Sequence, residues 1–274
     1  MTKTVYPFLL LILSYPILGQ TSGTLTVVED SILTEDHLGD IIIETDGVIL
    51  DCNGHTVMGP SPGPDNFGIS IKSSEVTVKN CHATNFSVGV FVYESNNNLL
   101  QGNTANHNTG AGFIVRVSHD NVIVNNTADG NGGGFFLSGS AHTVTGNTAS
   151  HNRGAGFLVE RGLRGVANTL TNNVSNNNNT GFSLHAVSNI TLTGNIANNN
   201  RQDGFALLEP RKKNTLKNNS AGSNGRDGFR LYEGLENLYA DNKACDNGRF
   251  DAIQSEDGVE NIFIDNQFCT TSGF

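Results

Sequence analysis

A glycine followed by an apolar residue recurs at Gly68-Ile69, Gly89-Val90, Gly112-Phe113, Gly134-Phe135, Gly156-Phe157, Gly181-Phe182, Gly204-Phe205 and Gly228-Phe229, at intervals of 21 to 25 residues. A second column keeps the same period through Asn80, Asn103, Asn126, Asn147, Asn173, Asn195, Asn219 and Asn242. Each of these is followed five residues later by another asparagine, at Asn85, Asn108, Asn131, Asn152, Asn178, Asn200, Asn224 and Asn247. A repeat of this length, with short apolar alternations and no helical periodicity, constrains the chain to an all-β solenoid of stacked coils, about nine to ten of them.

The pattern inside one repeat says how a coil is built. After each glycine the order is apolar, variable, apolar, as in Phe113 and Val115, Phe157 and Val159, or Phe229 and Leu231, and a period of two turns those pairs inward. Another apolar position lies three residues before the first asparagine column (Leu100, Ile123, Val144, Leu170, Leu192, Leu216, Tyr239), and a small one two residues after it (Ala105, Ala128, Ala149, Ser175, Ala197). Three inward strips imply three short strands and three turns per coil. Coils stacked about 4.8 Å apart let each inward asparagine bond to its equivalents above and below, so a ladder of amides can be buried without unsatisfied groups.

The composition fits such a chain. Only 15% of residues are charged, tryptophan is absent, and glycine and asparagine are abundant. A net charge of −10 repels nucleic acid and anionic membrane surfaces. Lys3 followed by an apolar stretch from Val5 to Leu18 reads as a secretory signal ending near Gly19 or Gln20, too short for a membrane span. The expectation is a leader over residues 1–20 and one solenoid domain over 21–274, secreted, or periplasmic in a bacterium. Cys245 and Cys269 each stand three residues after a ladder position and so fall on adjacent coils, and Cys52 and Cys81 pair one coil apart by the same logic. Glycosylation sequons stand at Asn85, Asn125, Asn173, Asn178, Asn189 and Asn218.

Leu50-Asp51-Cys52-Asn53-Gly54-His55-Thr56-Val57 and Val76-Thr77-Val78-Lys79-Asn80-Cys81, taken with the two columns, resemble the opening coils of the right-handed parallel β-helix repeat proteins. That superfamily of carbohydrate-binding proteins and sugar hydrolases includes pectate lyases, polygalacturonases and alginate epimerases. The resemblance covers roughly residues 40 to 270. It implies a right-handed parallel β-helix and an extracellular polysaccharide as partner, recognised and, in enzymatic members, processed by a lyase, epimerase or hydrolase. The Asp-Pro-His-Asp stretch of the epimerases does not occur here.

The candidate chemistry lies elsewhere. Asp203, Asp227 and Asp251 stand just before the Gly-Phe strand of successive repeats and read as one carboxylate column, flanked by Arg201, Arg226 and Arg249. Repulsion between stacked aspartates can be relieved by the arginines, by a Ca²⁺ ion shared by Asp203 and Asp227, or by a shared proton of the kind catalysis needs; ordinary turn chemistry is the plain alternative. Between the inward pairs an outward file runs Phe91, Ile114, Phe136 and Leu158, an apolar ridge suited to packing or self-association, and then Ser183, Ala206 and Arg230. The neighbouring outward file carries Arg116, Glu160 and His185, which together with Arg230 are candidate contacts to an acidic sugar. The histidines fall at different angles around the coil and converge on no metal site. Threonine pairs such as Thr143 and Thr145 raise ice binding, but Val122, Val124 and Lys217 interrupt the rows. Two functions remain open: a polysaccharide-active or polysaccharide-binding β-helix, and a non-catalytic adhesion or interaction scaffold.

Overall fold

The computed structural model describes residues 17–18, 22–61, 63, 66–160, 168–209, 212–232, 234–254 and 258–273. Within them every regular element is a strand, and the strands form three long parallel sheets of 12, 12 and 11 members plus a two-stranded pair. One coil contributes Val88–Tyr93 to sheet I, Leu99–Gln101 to sheet II and Thr104–Asn106 to sheet III. Each strand pairs with its equivalent one coil away, for example Phe113 with Phe135 and Ile123 with Val144. This is the parallel β-helix expected from the repeat. Most of the proposed leader lies outside the described residues; Ile17–Leu18 pair as a short strand with Ile32 and Leu33.

The inward residues set the core. Phe113, Phe135, Phe157, Phe182, Phe205 and Phe229 stack with ring centroids 4.7 to 4.8 Å apart, because the rise of the coil imposes its spacing on any aromatic repeated in register. The glycine before each ring is required by its neighbours. A Cβ at Gly204 would stand 2.8 Å from both the Ala221 methyl and Asn224 Nδ2, so the small column, the glycine column and the second asparagine column meet at one crowded corner.

Both asparagine ladders form, and they have a direction. Asn126 donates its backbone N–H and its Nδ2 to Asn147 Oδ1 at 2.8 and 3.0 Å, and Nδ2 also reaches the Leu100 carbonyl at 2.9 Å. Because each rung donates toward the C-terminal end, the slot before the first asparagine needs no side-chain acceptor. The structure moves the start of both ladders accordingly. Asn80 and Asn85 stand in left-handed turn positions outside them. Cys81 and Phe86 fill the first slots, their N–H groups donating at 3.0 Å to Asn103 and Asn108. A third ladder, not anticipated, runs at the turn between sheets I and II through Asn98, Asn121, His142 and Asn168, and resumes from Ile190 through Asn214, Asn237 and Asn261.

Both disulfides are present, Cys52 with Cys81 and Cys245 with Cys269, at Cα separations of 4.7 and 5.2 Å. Of the sequons, Asn173 and Asn178 are buried ladder rungs, whereas Asn125, Asn189 and Asn218 are exposed at turns.

Candidate functional site

Sheet I carries the longest strands, and its outer face collects nearly all the predicted site residues in three files. The outermost runs Tyr93, Arg116, Ser138, Glu160, His185 and Leu208 in strict register. Arg116 and Glu160 are exposed and two rungs apart; Glu160 and His185 are on adjacent rungs, and His185 Nε2 lies 2.9 Å from Ser183 Oγ. The middle file is Phe91, Ile114, Phe136, Leu158, Ser183, Ala206 and Arg230. It is half-buried over its apolar part, so the expected ridge is instead the wall of a depression.

Beside the wall runs a third file two residues before each inward core residue, Val88, Ala111, Gly133 and Ala155, whose small size leaves a floor. Floor and wall enclose a groove of about 410 Å³ lined by Ile114, Phe136 and Leu158 on one side and Ser87, Gly110 and Gly154 on the other. At its N-terminal end Phe67 stacks on Phe91 at 4.3 Å and Phe91 on Tyr93 at 5.8 Å. The groove was missed from the sequence because the signal is an absence of bulk, in residues that turn chemistry also selects. A second, polar depression of about 380 Å³ lies on sheet III around Gly222, Lys243 and Asp246.

The floor file continues into Thr180, Asp203 and Asp227. Asp203 is 1% and Asp227 0% exposed, and each is covered by an arginine of the following coil. Arg226 grips Asp203 with Nε 2.6 Å from Oδ1 and Nη2 on Oδ2; Arg249 grips Asp227 with Nε 2.9 Å from Oδ1 and Nη2 on Oδ2. These bidentate bonds to Asp203 and Asp227 raise the pKa of both guanidinium groups against the burial that would lower it. Relief by arginine is therefore the arrangement adopted. Among the described residues no three His, Cys, Asp or Glu side chains stand together as metal ligands, so a calcium site on this column finds no ligand cluster there.

Asp251 does not belong to the column. Asp227 is opposite Phe250 and Phe229 opposite Ala252, which puts Asp251 in the glycine register with its side chain turned toward the ladder corner. Its Oδ1 accepts from Asn247 N–H at 3.1 Å and Asn247 Nδ2 at 2.6 Å, and its Oδ2 accepts from Thr270 N–H and Oγ1, both at 2.8 Å. The second ladder arrives with two donors and no further asparagine, and a carboxylate supplies the missing acceptors. Burial would raise the Asp251 pKa, but the bonds from Asn247 and Thr270 outweigh it and hold the group below its usual value.

Comparisons with known proteins bear on this geometry. Residues 17–166, more than half of the chain, match the family described as right handed beta helix region, and residues 162–272 match the one described as periplasmic copper-binding protein (NosD). Comparison with curated sequences finds no match. Among solved structures the chain is similar to the periplasmic alginate epimerase AlgG, with a TM-score of 0.67 at 17% identity over 89% of this chain and 76% of that one. It is similar also to the catalytic unit of a GH87 alpha-1,3-glucanase from Streptomyces thermodiastaticus strain HF3-3, with a TM-score of 0.63 at 12% identity over 93% and 64% of the two chains. Pectate lyase Pel9A gives a TM-score of 0.55 at 14% identity over 94% and 68%. At these identities the likeness is one of fold. The repeat, the ladders, the three sheets and the sequence match agree, and the chain belongs to the right-handed parallel β-helix family.

Proposed function

We propose that the protein is an exported glycan-recognising β-helix whose ligand lies along the outer face of sheet I. The observation that carries this is the pairing, over successive rungs of about 4.8 Å, of an apolar groove with a parallel polar file. The walls at Phe91, Ile114, Phe136 and Leu158 suit the carbon face of a sugar, and Arg116, Ser138, Glu160 and His185 offer hydrogen bonds along one edge of a chain that repeats as the coils do. The alginate epimerase, the alpha-1,3-glucanase and the pectate lyase support a polysaccharide as the class of ligand. Export is supported by two disulfides, which persist in oxidising compartments. Copper is not part of the reading. The segment that matches the copper-binding family has one histidine, His185, no methionine, and cysteines already joined to each other, a poor donor set for that metal.

In this reading Asp203 and Asp227 position arginines and Asp251 ends a ladder, so none of the three acts as a catalytic acid or base. The test is retention of the protein on a panel of neutral and uronic-acid polysaccharides, with and without Ca²⁺, while absorbance is followed for unsaturated product. Saturable retention without product, lost in Phe136→Ser, is the expected result. A protein that self-associates through the Phe136 wall and ignores every sugar would replace this reading with an interaction scaffold.

A further inference from the structure

The apolar groove runs into a patch of opposite character. Past Thr180 and Ser183 its floor is Asp203 and Asp227 and its wall becomes Arg230. Three arginines gather there over two carboxylates, a surplus of one positive charge in a chain whose net charge is −10. Interlocking of coils accounts for two of them: Arg226 on Asp203 and Arg249 on Asp227 are each a complete bidentate pair. It does not account for Arg230. That side chain approaches Asp203 Oδ2 only to 3.6 Å, on an oxygen already taken by Arg226, and its Cζ stands over the Tyr232 ring, 4.3 Å from the centroid. Its Nε is buried and donates to no acceptor. Being buried, that Nε is out of reach of a surface ligand, so any further contact falls to the rest of the guanidinium, whose side chain is 23% exposed.

The Asp203, Asp227 and Asp251 carboxylates are almost fully covered, while the side chains of Arg226, Arg230 and Arg249 stay 33%, 23% and 45% exposed, so the guanidinium edges not committed to aspartate remain on the surface. Held by their pairs and by the Tyr232 ring, they are oriented before any ligand arrives, which lowers the entropic cost of binding. We infer that Arg230, flanked by Arg226 and Arg249, is an oxyanion subsite at the C-terminal end of the groove, taking the carboxylate or sulfate ester of an acidic glycan whose neighbouring sugars lie against the apolar wall. The subsite rests on the reading of sheet I as the ligand face and adds to it the charge of the ligand.

The experiment is calorimetric titration at fixed ionic strength with inorganic sulfate, oligogalacturonate, dextran sulfate and neutral dextran, on the wild type, Arg230→Gln and Arg230→Lys. Oligogalacturonate separates a carboxylate ligand from the sulfate ester of dextran sulfate. The expected outcome is binding of one or both polyanions that weakens at least tenfold in Arg230→Gln, partial recovery in Arg230→Lys, and a melting temperature within a degree or two of wild type, since Arg230 completes no interlock. Binding of every anion by Arg230→Gln as by wild type would overturn the subsite, as would the absence of saturable anion binding. Equal retention of neutral and acidic glycans, lost in Phe136→Ser and unaffected by Arg230→Gln, would refute the subsite and leave the ligand face standing. Anion binding that depends on Arg230 with no glycan retained would support an anion site and refute the glycan reading.

Discussion

His142 occupies an asparagine slot in the third ladder, and the exchange has a consequence in mildly acidic solution. Its Nδ1 accepts the Asn121 N–H at 3.3 Å and its Nε2 is buried without a partner, so only the neutral ring fits. Burial pushes the imidazole down from 6.5 to about 4, against the Asp120 carboxylate, which raises it, and with His119, which lowers it. Between those values the unfolded chain binds a proton that the folded one refuses, so stability is lost as pH falls from 6.5 toward 4, by about 2 kcal/mol between pH 7 and pH 5. Urea denaturation of His142→Asn at the two pH values should show that increment removed; an unchanged slope would mean the ring is not confined. Asn147 offers the complementary test. Asn147→Leu strips Oδ1 from the N–H and Nδ2 of Asn126, at about 1 to 3 kcal/mol for each donor left unsatisfied. It should therefore melt well below Ser138→Ala on the outer face. Equal melting temperatures would remove the ladder as a source of stability. The ladder asparagines were legible as a period, but not their ends, because which asparagine is a rung and which a left-handed turn residue depends on one step of register. Asn80 and Cys81 are adjacent in sequence, and only the inward one is a rung.

At the scale of strands and coils the two ends differ. Cys52 and Cys81 are fully buried beside the start of the first ladder, whereas the last coil is thin: Ile262 and Ile264 are exposed and Phe263 and Phe268 only partly buried. The Cys245–Cys269 bridge closes a loop of 24 residues, worth about 3 kcal/mol to the coils it joins. Replacing both cysteines by serine should raise hydrogen exchange across residues 258–273 while amides from about 100 to 230 stay protected, because each coil of a solenoid depends mainly on its neighbours. Loss of protection along the whole stack would show that the end coil is not an independent unit. Strand existence and inward facing were legible from the period-two pairs. The groove was not, since it arises between files of neighbouring strands, and Asp251 was misplaced because Phe250-Asp251-Ala252 shifts the aspartate into the glycine position while leaving the local pattern almost unchanged.

The whole molecule is a stack in which one face out of three is differentiated. Sheet II presents threonine, valine and lysine, sheet III mostly short polar side chains, and sheet I alone runs from aromatic through aliphatic and small residues to arginine. The fold could be read from the repeat because a solenoid multiplies each local preference by the number of coils; the outward residues of sheet I could be named from the same repeat, but not the groove between their files or the pairing of arginine with aspartate, which depend on contacts between coils. The central claim is that ligand lies along sheet I, and hydroxyl-radical footprinting tests it directly, with the polysaccharide best retained in the panel as the ligand. The account expects protection of Phe91, Tyr93, Phe136, Leu158, His185 and Tyr232, with His82 and His151 on the sheet III side oxidised as in the free protein. Protection centred on sheet II or sheet III, with the sheet I aromatics unchanged, would contradict it.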